Sequence, residues 1–124
     1  SGGMLQHASL CRAIIHEPEL LMLDEPFGAL DQFTREDLWA IMQDLWLARR
    51  PTVVLVTHDL KEAGFLATRI CVMRAKPGRI VESRDIGFPR PRSVETTFSP
   101  AFTTLTQDLR AAIVSARGPE AEAA

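Results

Sequence analysis

Three ionisable side chains stand where two short apolar runs end, and together they could work on phosphate. Leu20-Leu21-Met22-Leu23 leads into Asp24-Glu25-Pro26, and Val53-Val54-Leu55-Val56-Thr57 leads into His58-Asp59. At the end of a strand, one carboxylate can hold Mg²⁺ through water, because this small hard cation prefers oxygen donors and keeps several waters. A neighbouring carboxylate can polarise a water for in-line attack on phosphorus, as general base or positioner. An imidazole at the same edge can hydrogen-bond the transferred phosphate and sense its presence. A lone Asp-Glu pair is commonly a solvated turn. The apolar run before it and the proline after it favour a sheet edge instead.

Such a site needs elements that bring both runs to one rim. Four consecutive apolar residues before Asp24 fit a strand covered on both faces, as in a parallel sheet. Phe33 to Arg49 carries Leu38, Ile41, Met42 and Leu45 at helical spacing, with charged residues between them, and Thr34 is its expected N-cap. Strand, helix and strand of these lengths form a βαβ unit, so the two strands should be parallel with a right-handed crossover. Ligands of open α/β sheets bind outside the carboxyl ends of the strands, where Asp24, Glu25 and His58 fall.

The remaining chain reads as further α/β structure. Met4 to Ile15 is an expected helix that Pro18 ends, and Ser1-Gly2-Gly3 ahead of it offers backbone N–H groups and a helix N-terminus to an anion. A short helix over 60–68 leads to an apolar strand, Ile70-Met73, a turn at Lys76-Pro77-Gly78-Arg79 and a returning arm at Ile80-Glu82. Pro89-Arg90-Pro91-Arg92 is a loop by its prolines. Ser99 and Pro100 start a last helix with Phe102, Leu105, Leu109 and Ile113 along one stripe, and the residues from Gly118 onward read as a frayed tail.

Size and composition set the outer limits. The 124 residues amount to one domain or less, and a net charge of -2 gives no whole-chain reason to expect nucleic acid or an anionic membrane surface as partner. Cys11 and Cys71 lie inside apolar runs and read as small buried hydrophobes, reduced rather than disulfide-bonded. No apolar run approaches the roughly 20 residues that cross a bilayer. Trp39 and Trp46, seven apart on one helical face, read as core or as a docking face for a subunit partner. His7 and His16 have no ligand-spaced partner, and Arg49-Arg50 reads as a solvated helix end.

Taken in order, Ser1-Gly2-Gly3-Met4-x-Gln6, Arg12-Ala13, Leu20 to Pro26, Gly28-Ala29-Leu30-Asp31 and Val56-Thr57-His58-Asp59 resemble the ATP-binding subunit of ABC transporters. The matching motifs are that family's signature loop, Walker B strand, D-loop and switch histidine, and the resemblance covers about residues 1–92. Met4, together with the run from His58 through Ala63 and on to Ile80, looks like the nitrate/sulfonate/taurine importer branch. Leu5 and His7 depart from the basic residues usual there, Thr68 replaces a usual Asp, and Gly64 inside a helix costs about 1 kcal/mol relative to Ala.

The resemblance implies an α/β fold that is part of a P-loop NTPase: a mostly parallel sheet with flanking helices, its N-terminal portion missing. Residues 1–92 would be the C-terminal part of the ATPase domain, 93–117 a helical extension and 118–124 a flexible tail. By the same resemblance, Asp24 would hold Mg²⁺ through water, Glu25 would be the catalytic carboxylate and His58 the γ-phosphate switch. Ser1, Gly2 and Gly3 would contact the γ-phosphate of ATP bound by the opposite subunit of a head-to-tail dimer. Asp31 would join the two composite sites, while Gln6 and Arg12 would anchor the signature helix. The expected activity is ATP hydrolysis that drives uptake of a small anion. The partners would be a second ATP-binding subunit, membrane permease subunits and, indirectly, an extracytoplasmic binding protein, with the chain peripheral on the cytoplasmic face of the membrane.

One element of such a machine is not among these residues. A P-loop needs Gly-x-x-x-x-Gly-Lys-Ser/Thr to cradle the β- and γ-phosphates. The chain has only Lys61 and Lys76, preceded by Leu60 and Ala75. The rival expectation is therefore a truncated, non-catalytic remnant that binds no nucleotide on its own. A non-transport ABC ATPase has less behind it, because no long insertion or second cassette is visible.

Overall fold

The computed structural model describes residues 2–123, and side chains from 3 to 118. Its elements run α1 (Gly2–Ile15), β1 (Leu20–Asp24), α2 (Gln32–Arg49), β2 (Thr52–Val56), α3 (Leu60–Leu66), β3 (Arg69–Arg74) and β4 (Arg79–Asp85), then a 3₁₀ turn at Val94–Phe98 and α4 (Pro100–Ala123). β1 and β2 pair in parallel, with Leu20 opposite Thr52 and Asp24 opposite Val56. β3 and β4 form an antiparallel hairpin with a bulge between Val72 and Met73.

The α/β class and the βαβ unit are thus present, but the extent of the sheet differs from expectation. Among the described residues there are two separate two-stranded sheets rather than one mostly parallel sheet. Each of β1 and β2 has one packed face and one open face, and the open face carries Leu20, Met22, Val54 and Val56. The double covering inferred from four successive apolar residues is met on one side only, because none of the described elements lies over the other.

Two hydrophobic clusters hold the molecule together. The first joins Leu10 of α1, Phe27 of the turn after β1, Leu38, Trp39 and Met42 of α2 and Phe65 of α3. The second joins Val72 of β3 and Ile86 to Leu105 and Leu109 of α4. Between them Gly64 lets α3 approach α4: a Cβ there would lie 2.7 Å from Phe102 Cζ. A helical glycine that looked costly in sequence is what this close approach requires.

The local sequence signals are met in part. Ser99 Oγ accepts from Phe102 N at 3.2 Å with Pro100 as the first helical residue, as expected. Leu105 and Leu109 of the stripe are buried, but Ile113, one turn beyond the hairpin contact, is half-exposed. The cap of α2 is Asp31 rather than Thr34. The helix starts at Gln32, and Thr34 donates its backbone N–H and its hydroxyl to the Asp31 carboxylate. Both cysteines are exposed, contrary to the buried reading. Only Leu10 and Ile14 of α1 face the core, and period-two alternation on β3 turns Ile70 and Val72 inward and Cys71 outward. α4 is broken at Gly118 (φ 77), and the residues after it, expected as a tail, are helical again through Ala123.

Candidate functional site

The parallel register decides what meets at the rim. Asp24 ends β1 opposite Val56 of β2, and Glu25 N continues the ladder one step further by donating to Val56 O at 2.7 Å. The next residues out on the second strand are Thr57 and His58, so acid and imidazole must share an edge. Glu25 then takes φ 45, a left-handed conformation that costs a non-glycine residue about 1–3 kcal/mol. The turn that follows, with Gly28 N donating to Glu25 O, is anchored by Phe27, which is fully buried. That anchoring holds Glu25 in the strained conformation, and the outcome is a 3.2 Å separation between Glu25 Oε1 and His58 Nε2. At that distance an N–H on Nε2 donates to the carboxylate.

Both groups border an open cleft of about 480 Å³, whose walls include Gly28, Arg35, Thr57, Asp59 and Glu62. His58 is 91% exposed and Glu25 46%, so both can reach a ligand from solvent. Arg35 brings a cation to the wall, 3.8 Å from Asp59 Oδ2, and its Nε is buried with no hydrogen-bond partner among the described residues. An anionic ligand in the cleft would meet that cation.

The other expected site residues are placed as follows. Asp24 is exposed at the end of β1. Asp31 is committed to capping α2, and hydrogen bonds from Thr34 hold its carboxyl below the usual range. Gly2 and Gly3 already belong to α1 instead of forming a loop ahead of it, and Gly3 is not among the described residues that line the cleft of Glu25 and His58. Ser1 lies outside the described residues.

The donor set fits Mg²⁺ arriving on a triphosphate better than a resident ion. No group of three or more His, Cys, Asp or Glu able to hold a metal exists among the described residues. Asp24, the expected Mg²⁺ residue, would supply one carboxylate, within the one or two that Mg²⁺ takes from protein when substrate phosphates and water complete its shell.

Glu62 joins the walls of the cleft against what its spacing in the sequence suggests. Asp59-x-x-Glu62 has the spacing of a capping box, which predicts an exposed glutamate folding back on the helix start. Asp59 does cap α3, accepting from Lys61 N at 2.9 Å and Glu62 N at 3.2 Å. The Glu62 side chain instead turns inward and is 3% exposed. Its carboxylate accepts from Trp39 Nε1 at 2.9 Å, and burial pushes its pKa up against the opposing pull of the polar side chains of Thr57 and Trp39. The loop arginines have structural work that sequence did not reveal. Arg92, 4% exposed, donates to the carbonyls of Gly64, Phe65, Ala67, Ile86 and Phe88, and Arg90 donates to those of Phe65 and Leu66. They satisfy the open C-terminal end of α3. The guanidinium groups of Arg50 and Arg90 both pack on the Trp46 ring, and Arg49 pairs with Glu17, so the expected solvated helix end is partnered.

Comparison with known proteins supplies the context for this rim. No protein-family model matches the chain. It is 49% identical over 107 residues to the aliphatic sulfonates import ATP-binding protein SsuB of Bacillus licheniformis, covering 86% of this chain and 41% of that protein. The SsuB of Bacillus subtilis is 43% identical over the same shares, and SsuB 3 of Nocardia farcinica is 50% identical over 91% of this chain and 44% of its own length. The chain therefore spans about two fifths of the length of the curated relatives it matches. Within that span, the identity to proteins so named and the order of the acid pair and the histidine agree: the chain belongs to the family of ATP-binding subunits of ABC importers.

Proposed function

We propose that this chain is the hydrolytic part of an ATP-binding subunit that energises uptake of a small organic anion. An aliphatic sulfonate is the first candidate, after the names of its relatives, with taurine or nitrate as neighbouring possibilities. The observation that carries the reading is the meeting of Glu25 and His58, 3.2 Å apart, at the carboxyl ends of two parallel strands. Mg²⁺ bound through Asp24 would neutralise phosphate charge. Glu25 holds and orients the attacking water, taking its proton as the bond to phosphorus forms. His58 is exposed beside Glu25, where an imidazole N–H can reach the γ-phosphate and report its loss. Gly2 and Gly3 at the start of α1, with Ser1 before them, present backbone N–H groups to the ATP of a second subunit, and Asp31 links the two sites of the head-to-tail dimer.

Permease subunits and an extracytoplasmic binding protein complete the transporter, with this subunit peripheral on the cytoplasmic side. No helix of the described residues is long and apolar enough to cross a membrane. The 124 residues contain no P-loop pattern, so the chain by itself does not retain triphosphate.

Sulfonate uptake tests this reading. In a Bacillus subtilis strain lacking its own SsuB, that protein would be supplied with its matching segment replaced by this chain. Restored uptake of a labelled alkanesulfonate is expected. Stable expression without uptake would contradict the importer role.

A further inference from the structure

His58 is nearly all solvent-exposed, yet it lies within hydrogen-bonding distance of one particular carboxylate oxygen. An exposed side chain gets little orientation from its own contacts, so its backbone must be held. The two residues that flank it are both tied down. Asp59 closes the first turn of α3 and faces Arg35 of α2 across 3.8 Å. The Thr57 hydroxyl accepts from Asp59 N at 3.0 Å, and the Asp59 carboxylate accepts from Glu62 N at 3.2 Å. Glu62 in turn is fixed from α2 by the Trp39 indole. The path is continuous: a buried tryptophan N–H on the Glu62 carboxylate, the Glu62 backbone N–H on the Asp59 carboxylate, and the Asp59 backbone N–H on the Thr57 hydroxyl, which brackets the imidazole.

We propose that Glu62 is a positioning residue for His58, holding the segment 57–59 from within the core so that the imidazole meets Glu25 and the bound phosphate. The charge around it fits this role. Arg35 faces it from α2 and favours the ionised form, Asp59 on its own side opposes it, and the Trp39 indole donates to it. A buried carboxylate is costly for stability alone. Its donor, however, comes from α2, while its own backbone N–H holds the Asp59 carboxylate next to the histidine, and this is the geometry of a strut between them.

The proposal rests on the hydrolytic reading above, and a double-mutant cycle separates the two. The protein is the Bacillus licheniformis relative carrying this chain in place of the segment it matches, assayed for steady-state ATP hydrolysis. His58→Ala should lower kcat about a hundredfold, the scale of losing a positioned polar group. Glu62→Gln should lower kcat about tenfold with KM within about twofold, as for misplacement of a reacting group. The double variant should be no slower than His58→Ala within about threefold, because two residues acting through one element are not additive.

Full additivity, or wild-type kcat in Glu62→Gln, overturns the positioning role while leaving the hydrolytic reading intact. Wild-type kcat in His58→Ala removes the histidine from hydrolysis and this proposal with it. Should Glu62→Gln fail to fold, Trp39→Phe removes the indole N–H together with the pyrrole half of the ring, keeps an aromatic side chain in the core and serves in the same cycle. It is expected to lose about threefold in kcat without additivity to His58→Ala, and additivity there overturns the proposal equally.

Discussion

Gly64→Ala sets two opposing effects of known size against each other. Replacing a helix-interior glycine by alanine ordinarily stabilises by about 1 kcal/mol through the unfolded chain and helix propensity. Here the added methyl would lie 2.7 and 2.9 Å from two ring carbons of Phe102 and 3.3 Å from Leu105 Cδ2. Phe102 is 1% exposed and stacks against Phe88 with ring centroids 5.4 Å apart, so the ring has no free volume to swing into. Overpacking a tight core costs about 1–3 kcal/mol, and contact with a confined ring belongs at the upper end. The net expectation is a loss of about 2 kcal/mol, which for a chain of this length lowers Tm by roughly 6–10 °C. Urea unfolding followed by tryptophan fluorescence measures it, with the midpoint falling and the slope unchanged. Shortening the ring with Phe102→Leu should recover at least about 1 kcal/mol of the Gly64→Ala loss in a double-mutant cycle. A variant more stable than the parent would refute the claim that α3 and α4 meet at this glycine.

Further expectations follow from the buried charges. Arg92→Lys cannot serve the five carbonyls that the guanidinium reaches and should destabilise the chain by about 3 kcal/mol in the same melts, because buried acceptors lose charged donors. Burial raises the Glu62 pKa above its unfolded value of 4.5, so the native state holds more protons between those two values. Its contribution to stability is therefore greatest below pH 4.5 and declines as pH rises through the native pKa. Glu62→Gln should flatten that part of the stability–pH curve, and an unchanged slope would assign it to other groups. The 124-residue chain alone should show no saturable ATP binding by calorimetry; a defined Kd would mean that phosphate is held without a P-loop.

The rim was readable from sequence because its logic is local. Two apolar runs of strand length, joined by one amphipathic helix, leave little choice but a parallel pair, and that pair sets Glu25 beside His58. The Ser99-Pro100 helix start was legible for the same reason. What escaped depended on which way a side chain turns once elements pack. Glu62 has the spacing of an exposed capping partner but finds the Trp39 indole across 23 residues of sequence. Arg90 and Arg92 look like a basic loop, yet they close the end of a helix more than 20 residues earlier. Cys11 and Cys71 share their runs with buried neighbours and still face outward, because one residue along a strand or helix changes the face. Gly64 looked like a weakness in a helix, since its reason lies on α4.

Glu25 carries the central claim, and single-turnover hydrolysis tests it most directly. In the Bacillus licheniformis relative bearing this chain in its matching segment, Glu25→Gln keeps size and hydrogen-bonding reach but cannot take a proton. ATP should bind with unchanged affinity, while hydrolysis falls at least about a hundredfold. Turnover equal to that of the parent would mean that the strained carboxylate beside His58 is not the group that activates water.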